Sequence, residues 1–174
     1  MREIVILGST GSIGVQALEI VAAYPDKFRV IGLSAGRKNP ALLMQQAKKF
    51  NVPIVGSMAA VPKTDGVKVI DGENSSIEIA ALPCDIGLNG ITGSIGLGPT
   101  LSALAVGNKV ALANKESLVA GGELVMKYGS DKLIPVDSEH SAIYQALLAG
   151  KVSDVKKLVL TASGGPFRDR ADLS

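Results

Sequence analysis

Residues Ile4 to Leu7 form an unbroken run of Ile, Val and Leu that stops at Gly8-Ser9-Thr10-Gly11-Ser12-Ile13-Gly14, where an amphipathic stretch begins at once. A strand with no polar alternation is buried on both faces, the habit of a parallel sheet covered by helices rather than of a sheet with one wet side. Glycines spaced three apart at such a junction let the backbone turn tightly and approach a bound group. The unpaired N–H groups at a helix start favour negative charge there. The spacing is GxxGxxG and departs from the GxGxxG dinucleotide fingerprint, so an ordinary strand-to-helix turn stays open as an alternative.

The same alternation continues along the chain. From Ile13 the apolar positions keep helical spacing until Tyr24-Pro25, where proline disfavours helix at the residue before it. Val30 to Leu33 then reads as strand, Pro40 to Phe50 as helix with Leu42, Leu43 and Ala47 inward, and Val52 to Val55 as strand. Gly56 to Gly72 reads as a loop or small excursion with a β signal at Val67 to Ile70. Beyond it, helices are predicted at Ile77 to Leu82, Pro99 to Val106, Glu116 to Tyr128 and Ser138 to Ala149. Strands are predicted at Asp85 to Leu88, Lys109 to Ala113, Leu133 to Val136 and Val155 to Thr161. This pattern predicts an α/β fold, a doubly wound, Rossmann-like parallel sheet with right-handed crossovers, whose ligands bind beyond the carboxyl ends of the strands. Thr10-Gly11-Ser12-Ile13-Gly14 recurs word for word as Thr92-Gly93-Ser94-Ile95-Gly96, each copy after a predicted strand. Two glycine turns on one rim of the sheet could face a single elongated ligand.

Composition narrows the partners. The formal charge is +2, from 18 Lys plus Arg against 16 Asp plus Glu, which argues against a nucleic-acid or membrane surface. The single cysteine, Cys84, excludes an intramolecular disulfide and a Cys-based zinc site, and reads as a core thiol in a reducing compartment. No apolar run reaches a signal-peptide core or a membrane span, so the expected location is cytoplasmic.

Four further loops carry polar groups. Ser34-Ala35-Gly36-Arg37-Lys38-Asn39 ends the second strand with two cations and no carboxylate, where an NAD-binding fold places an acid on the ribose 2′-hydroxyl. NADP(H) is therefore favoured over NAD(H), with a solvated basic loop as the alternative. Asn114-Lys115-Glu116-Ser117 offers amide, ammonium and carboxylate groups, or else a helix start capped by Asn114 with Glu116 on the dipole. In Pro135-Val136-Asp137-Ser138-Glu139-His140, an extended backbone would aim Asp137 and Glu139 to one side, toward a hard cation. The competing reading is a helix start capped by Ser138, with His140 packed or solvated. Thr161-Ala162-Ser163-Gly164-Gly165-Pro166-Phe167 suits contacts with an anion, or a plain turn.

Taken in order and at these distances, the Gly8 to Gly14, Asn114 to Ser117, Pro135 to His140 and Thr161 to Phe167 motifs closely resemble the 1-deoxy-D-xylulose 5-phosphate reductoisomerase family. The resemblance implies an NADPH- and divalent-metal-dependent enzyme of the methylerythritol phosphate route to isoprenoids, acting on a phosphorylated sugar. It makes Thr10, Gly11, Ser12 and Ile13 pyrophosphate-side NADPH contacts, and Gly36, Arg37, Lys38 and Asn39 contacts around the 2′-phosphate. It further assigns Asn114 and Glu116 to NADPH, Lys115, Ser138, Glu139 and Ser163 to substrate, and Asp137 and Glu139 to Mg²⁺ or Mn²⁺. Lys115, Asp137 and Glu139 would be catalytic. It also implies a longer parent chain that forms a homodimer and carries a substrate lid and a third carboxylate ligand beyond Ser174. The expected division is an NADPH-binding domain over residues 1–150 and the start of a truncated catalytic domain over 151–174, inactive alone. The alternatives are a semialdehyde- or homoserine-dehydrogenase-like NADP-linked enzyme and a non-catalytic dinucleotide-binding module.

Overall fold

Val5, Ile6 and Leu7 are sealed from solvent in the computed structural model, which describes residues 1–62 and 64–159. They belong to β1 (Arg2–Leu7), which is joined in one sheet by β2 (Phe28–Ala35), β3 (Ile54–Ser57), β4 (Lys68–Asp71), β5 (Ile86–Asn89), β6 (Lys109–Leu112) and β7 (Leu133–Pro135). The sheet has seven strands in the order β4-β3-β2-β1-β5-β6-β7. The pairs β1·β2, β1·β5, β2·β3, β3·β4 and β5·β6 are all parallel. Strands are laid outward from β1 to β4, and the chain then crosses back to place β5 on the other flank of β1. That reversal opens a crevice beyond the carboxyl ends of β1 and β5, the place where such sheets bind ligands.

Successive side chains of β1 point to opposite faces, so the strand feeds two cores. Ile6 packs with Leu18 of α1 (Ser12–Ala23), Leu43 of α2 (Pro40–Lys49), and Leu33 and Val55. Val5 and Leu7 pack on the other face with Ile79 of α3 (Ser75–Ala80), Leu104 of α4 (Leu97–Ala105) and Val125 of α5 (Glu116–Met126). Helix α3 sits close to the sheet because two strand residues facing it lack side chains. A Cβ on Gly56 would lie 2.7 Å from Ile79 Cγ1, and one on Gly32 would lie 2.8 Å from Leu82 Cδ1.

Several expectations are corrected. Gly56 is strand, and residues 68–71 form a true edge strand in register with β3, Val55 opposite Val69. The loop reading failed because Gly56 looks like punctuation, whereas here it makes room for Ile79. Residues 155–159 form no strand; no neighbouring strand pairs with them among the described residues, and Thr161 lies outside those residues. The chain divides into two compact units, Met1–Ile134 and Pro135–Ser174, the second of which carries α6 (Ser138–Leu147). In the second unit, α6 buries none of its residues. Among the described residues no helix is long and apolar enough to cross a membrane.

Cys84 is half-buried against the second core, not within it. Burial, the largest influence, pushes its thiol up to about 11. Its alkylation by iodoacetamide in the folded protein should stay slow near pH 8 and accelerate as pH rises through the window from about 9 to about 11. Fast labelling at pH 8 would contradict this. Ile79→Ala empties the recess against Gly32 and Gly56 and should cost about 2–5 kcal/mol in urea unfolding; a cost under ~1 kcal/mol would mean that α3 does not lock the sheet.

Candidate functional site

The turn after β1 has almost no freedom. Gly8 lies in the left-handed region at φ +78°, and a Cβ there would meet Gly90 O at 3.0 Å. Its N–H and that of Ser9 both donate to Ser34 O at the end of β2, each at 2.9 Å. Ser9 is fully buried. Its hydroxyl donates to Gln46 Oε1 at 2.8 Å, and Gln46 Nε2 donates back to Ser9 O at 2.9 Å. Helix α1 is pressed onto this turn at Gly14, where a Cβ would fall 2.5 Å from Gly8 O and 2.7 Å from Ser9 C. Gly8, Ser9 and Gly14 therefore build the turn, while Gly11 and Ser12 are exposed and Thr10 and Ile13 half-buried on its open side. The first amides of α1 have no partner within the helix, and among the described residues no side chain caps them and no acid stands in the first turn.

A cleft of about 450 Å³ opens beside this turn, lined by Gly8, Ala35, Gly36, Glu73, Ile91 and Ile95 among others. It brings the first glycine loop, the end of β2 and the second glycine loop to one place, as the repeat suggested. Gly36, Arg37, Lys38 and Asn39 are all exposed at the start of α2. Arg37 Nη2 pairs with Glu73 Oε1 at 3.0 Å, a carboxylate that the sequence reading did not place there. The two copies of the pentapeptide differ in backbone. Gly11 is extended at φ −80° and starts α1, whereas Gly93 takes φ +83° and leads into a 3₁₀ turn over Ser94–Gly96 before α4.

The end of β6 is tied to that second loop by Asn114, which is 2% exposed. Its Nδ2 donates to Ile91 O and, at 2.8 Å, to Gly93 O. Its Oδ1 accepts from Ser117 N–H at 2.7 Å and from Ser117 Oγ at 2.6 Å. The absence of a side chain at Gly96, where a Cβ would lie 2.7 Å from Asn114 Nδ2, lets the amide in. All four hydrogen-bonding positions of the amide are engaged, so Asn114 caps α5 and braces the loop. Lys115 is exposed beside it and Glu116 half-buried.

In the second unit, Asp137 is the residue that precedes α6, at φ −53° and ψ 136°, and Ser138 is already helical. Ser138 is thus not the cap, and the two-apart strand geometry that would aim Asp137 and Glu139 together does not extend through it. Ser138 Oγ donates to Glu139 Oε2 at 2.9 Å, and His140 Nδ1 lies 3.9 Å from Asp137 Oδ1. Among the described residues no three His, Cys, Asp or Glu side chains cluster as a metal site. Two carboxylates at one helix start fit part of a hard-cation ligand set and leave it incomplete. Ser163 and the rest of its loop lie outside the described residues. Gln46 and Glu73 went unnoticed in the sequence; the usable signal for Gln46 was a polar residue three after Leu43, on the inward face of α2.

A family model described as 1-deoxy-D-xylulose 5-phosphate reductoisomerase matches residues 4–122, and one described as the C-terminal domain of that enzyme matches residues 133–173. The reductoisomerase of Paenarthrobacter aurescens (strain TC1) is 51% identical over 187 residues, an alignment covering 98% of this chain and 48% of the relative. The Zymomonas mobilis reductoisomerase, solved in complex with NADPH, superposes with a TM-score of 0.83 at 35% identity, covering 97% of this chain and 47% of that one. A reductoisomerase solved with NADPH, fosmidomycin and magnesium superposes with a TM-score of 0.80 at 33% identity, covering 98% and 47% of the two chains. The chain spans about half the length of the curated relatives it matches.

Two substitutions test this construction. Gly14→Ala drives a methyl into backbone and should destabilise by about 1–3 kcal/mol or more in urea unfolding. Asn114→Ala leaves Ile91 O, Gly93 O and Ser117 N–H unsatisfied and should cost at least about 2 kcal/mol. Losses below ~0.5 kcal/mol would show that neither contact holds the rim.

Proposed function

The chain belongs to the 1-deoxy-D-xylulose 5-phosphate reductoisomerase family, and from that premise we propose that it supplies the NADPH-binding part of such an enzyme and the beginning of its catalytic part. The reaction rearranges and reduces 1-deoxy-D-xylulose 5-phosphate to 2-C-methyl-D-erythritol 4-phosphate. The observation that carries the cofactor half is the cleft at the strand-order reversal, lined by Gly8 of the turn that leads into the uncapped start of α1 and by Gly36 of the basic loop.

In this reading the amides around Thr10, Gly11, Ser12 and Ile13 receive the pyrophosphate, since a helix start without its own acid favours an anion. Gly36, Arg37, Lys38 and Asn39 surround the 2′-phosphate, with Arg37 exchanging the Glu73 carboxylate for it. Asn114 acts by bracing the second glycine loop, Glu116 borders the cofactor, and exposed Lys115 presents an ammonium to substrate oxygens. Asp137 and Glu139 hold Mg²⁺ or Mn²⁺, and Ser138 and Ser163 hold substrate. When bound, NADPH supplies the hydride and the divalent ion supplies positive charge for substrate oxygens as the carbon skeleton rearranges. What these residues contribute is orientation: each set holds a charged end of the molecule that it binds. The parent enzyme is read as a cytoplasmic homodimer that consumes a phosphorylated sugar.

Replacing Arg37 and Lys38 together by Ala should weaken NADPH binding by about tenfold or more and leave NADH within about twofold, measured by calorimetric titration. Equal losses for both cofactors would mean that the basic loop does not read the 2′-phosphate. Asp137→Asn should lower Mn²⁺ affinity, read from the free-ion electron paramagnetic resonance signal; unchanged binding would remove Asp137 from the ligand set.

A further inference from the structure

Of the buried residues of α2, Leu43, Met44, Gln46 and Ala47, only Gln46 is polar. An amide taken out of water is unfavourable unless its partners are supplied, and here both ends of the head group turn on one residue. Gln46 Nε2 donates to Ser9 O at 2.9 Å while Oε1 accepts from Ser9 Oγ at 2.8 Å. An apolar pair of the same shape would hold the helix against the loop about as firmly, because replacing both partners of a buried hydrogen bond is close to neutral. What the polar pair adds is direction.

That direction bears on the neighbouring peptide. A trans peptide is planar, and its C=O and N–H point opposite ways; this chain has no cis bond among the described residues. With the Ser9 carbonyl drawn inward by Gln46, the N–H of Thr10 on the same plane must point away from α2. Ser9 cannot rotate to escape, since its own N–H is bound to Ser34 O and Gly14 packs on its backbone. A flipped peptide would present a carbonyl oxygen where an anion is to be bound. Helix α2 begins directly after Gly36-Arg37-Lys38-Asn39, so one rigid element carries the basic loop at its start and orients the glycine loop from its second turn.

We infer that Gln46 is a positioning residue for the dinucleotide, which fixes the Thr10 N–H as a phosphate donor through its bond to the Ser9 carbonyl. The inference rests on the NADPH reading above. The test is calorimetric titration of the 174-residue chain with NADP⁺ and with adenosine 2′-monophosphate, which keeps the 2′-phosphate and lacks the pyrophosphate. Gln46→Met and Gln46→Glu both lose the donor to Ser9 O, and should bind NADP⁺ about tenfold or more weakly with the monophosphate unchanged. Ser9→Ala keeps that donor and should lose no more than about threefold. A merely structural Gln46 would lower the unfolding midpoint and leave the affinities of the folded protein alone, or reduce both ligands by the same factor; either result overturns the inference. Should the Gln46 variants fail to fold, the Thr10 amide resonance of the unaltered chain decides. It should shift downfield with NADP⁺ and not with the monophosphate, and an amide indifferent to NADP⁺ rejects the role. If the unaltered chain binds the monophosphate but not NADP⁺, the inference falls while the basic-loop reading stands. If it binds neither, the NADPH reading falls and takes the inference with it.

Discussion

The closeness of α1 to the turn after β1 is the constraint on which the rest of the rim depends. Gly14 sits where any side chain would enter the backbone of Gly8 and Ser9, so the helix begins almost on top of the strand end. That closeness fixes the direction in which the helix start points, and it leaves Thr10 to Ile13 on the outside of the turn. Gly8 completes the geometry with a left-handed φ that other residues rarely adopt, and its neighbour is Gly90 on the adjacent strand-end loop. Two glycine loops thus touch across the β1–β5 boundary, and the crevice there is narrow by construction.

Glycine confers close approach but gives up conformational order. The structure restores it with buried carboxamides. Gln46 braces the first loop from α2. Asn114 braces the second from the end of β6. Asn89, fully buried at the end of β5, donates to Gly96 O at 2.9 Å and to Thr100 Oγ1 at 2.8 Å, and accepts from Ile91 N–H at 3.1 Å. Each amide can donate and accept at once, so one side chain holds two points of a loop that has few side chains of its own. This is also why identical pentapeptides diverge: Gly11 is held by a helix, Gly93 by Asn114, and the supports decide the dihedrals.

Much of this was legible in the sequence, and the exceptions share a cause. The unbroken apolar runs announced β1, β2 and β6, and the parallel sheet followed from their alternation with helical stretches. The glycine loop and the basic loop were found because local chemistry singles them out. Long-range packing was not legible. Gly56 looked like a loop residue because its purpose is to admit Ile79 of α3, far along the chain. Asn114 was open to a capping or a ligand reading, and the partners that decide its geometry, Ile91 and Gly93, lie on another loop. Ser138 seemed a natural cap, yet the helix starts one residue earlier than that requires, with Ser138 already helical and Asp137 just outside it.

The pairing of Arg37 with Glu73 shows how the basic loop can be ordered without being locked. Both side chains are largely exposed, at 63% and 79%, and an ion pair in that setting contributes about 0–1 kcal/mol and weakens with salt. It is enough to hold the guanidinium over the cleft and too little to resist a better acceptor. A phosphate monoester carries up to two charges and three oxygens against the single charge of Glu73, and its ester geometry suits the guanidinium fork. A ribose hydroxyl brings no charge and gains nothing by displacing Glu73. In the proposed reading, discrimination at this loop would arise from an exchange of partners, in which the resident carboxylate would be displaced by a dianion and left undisturbed by a neutral group.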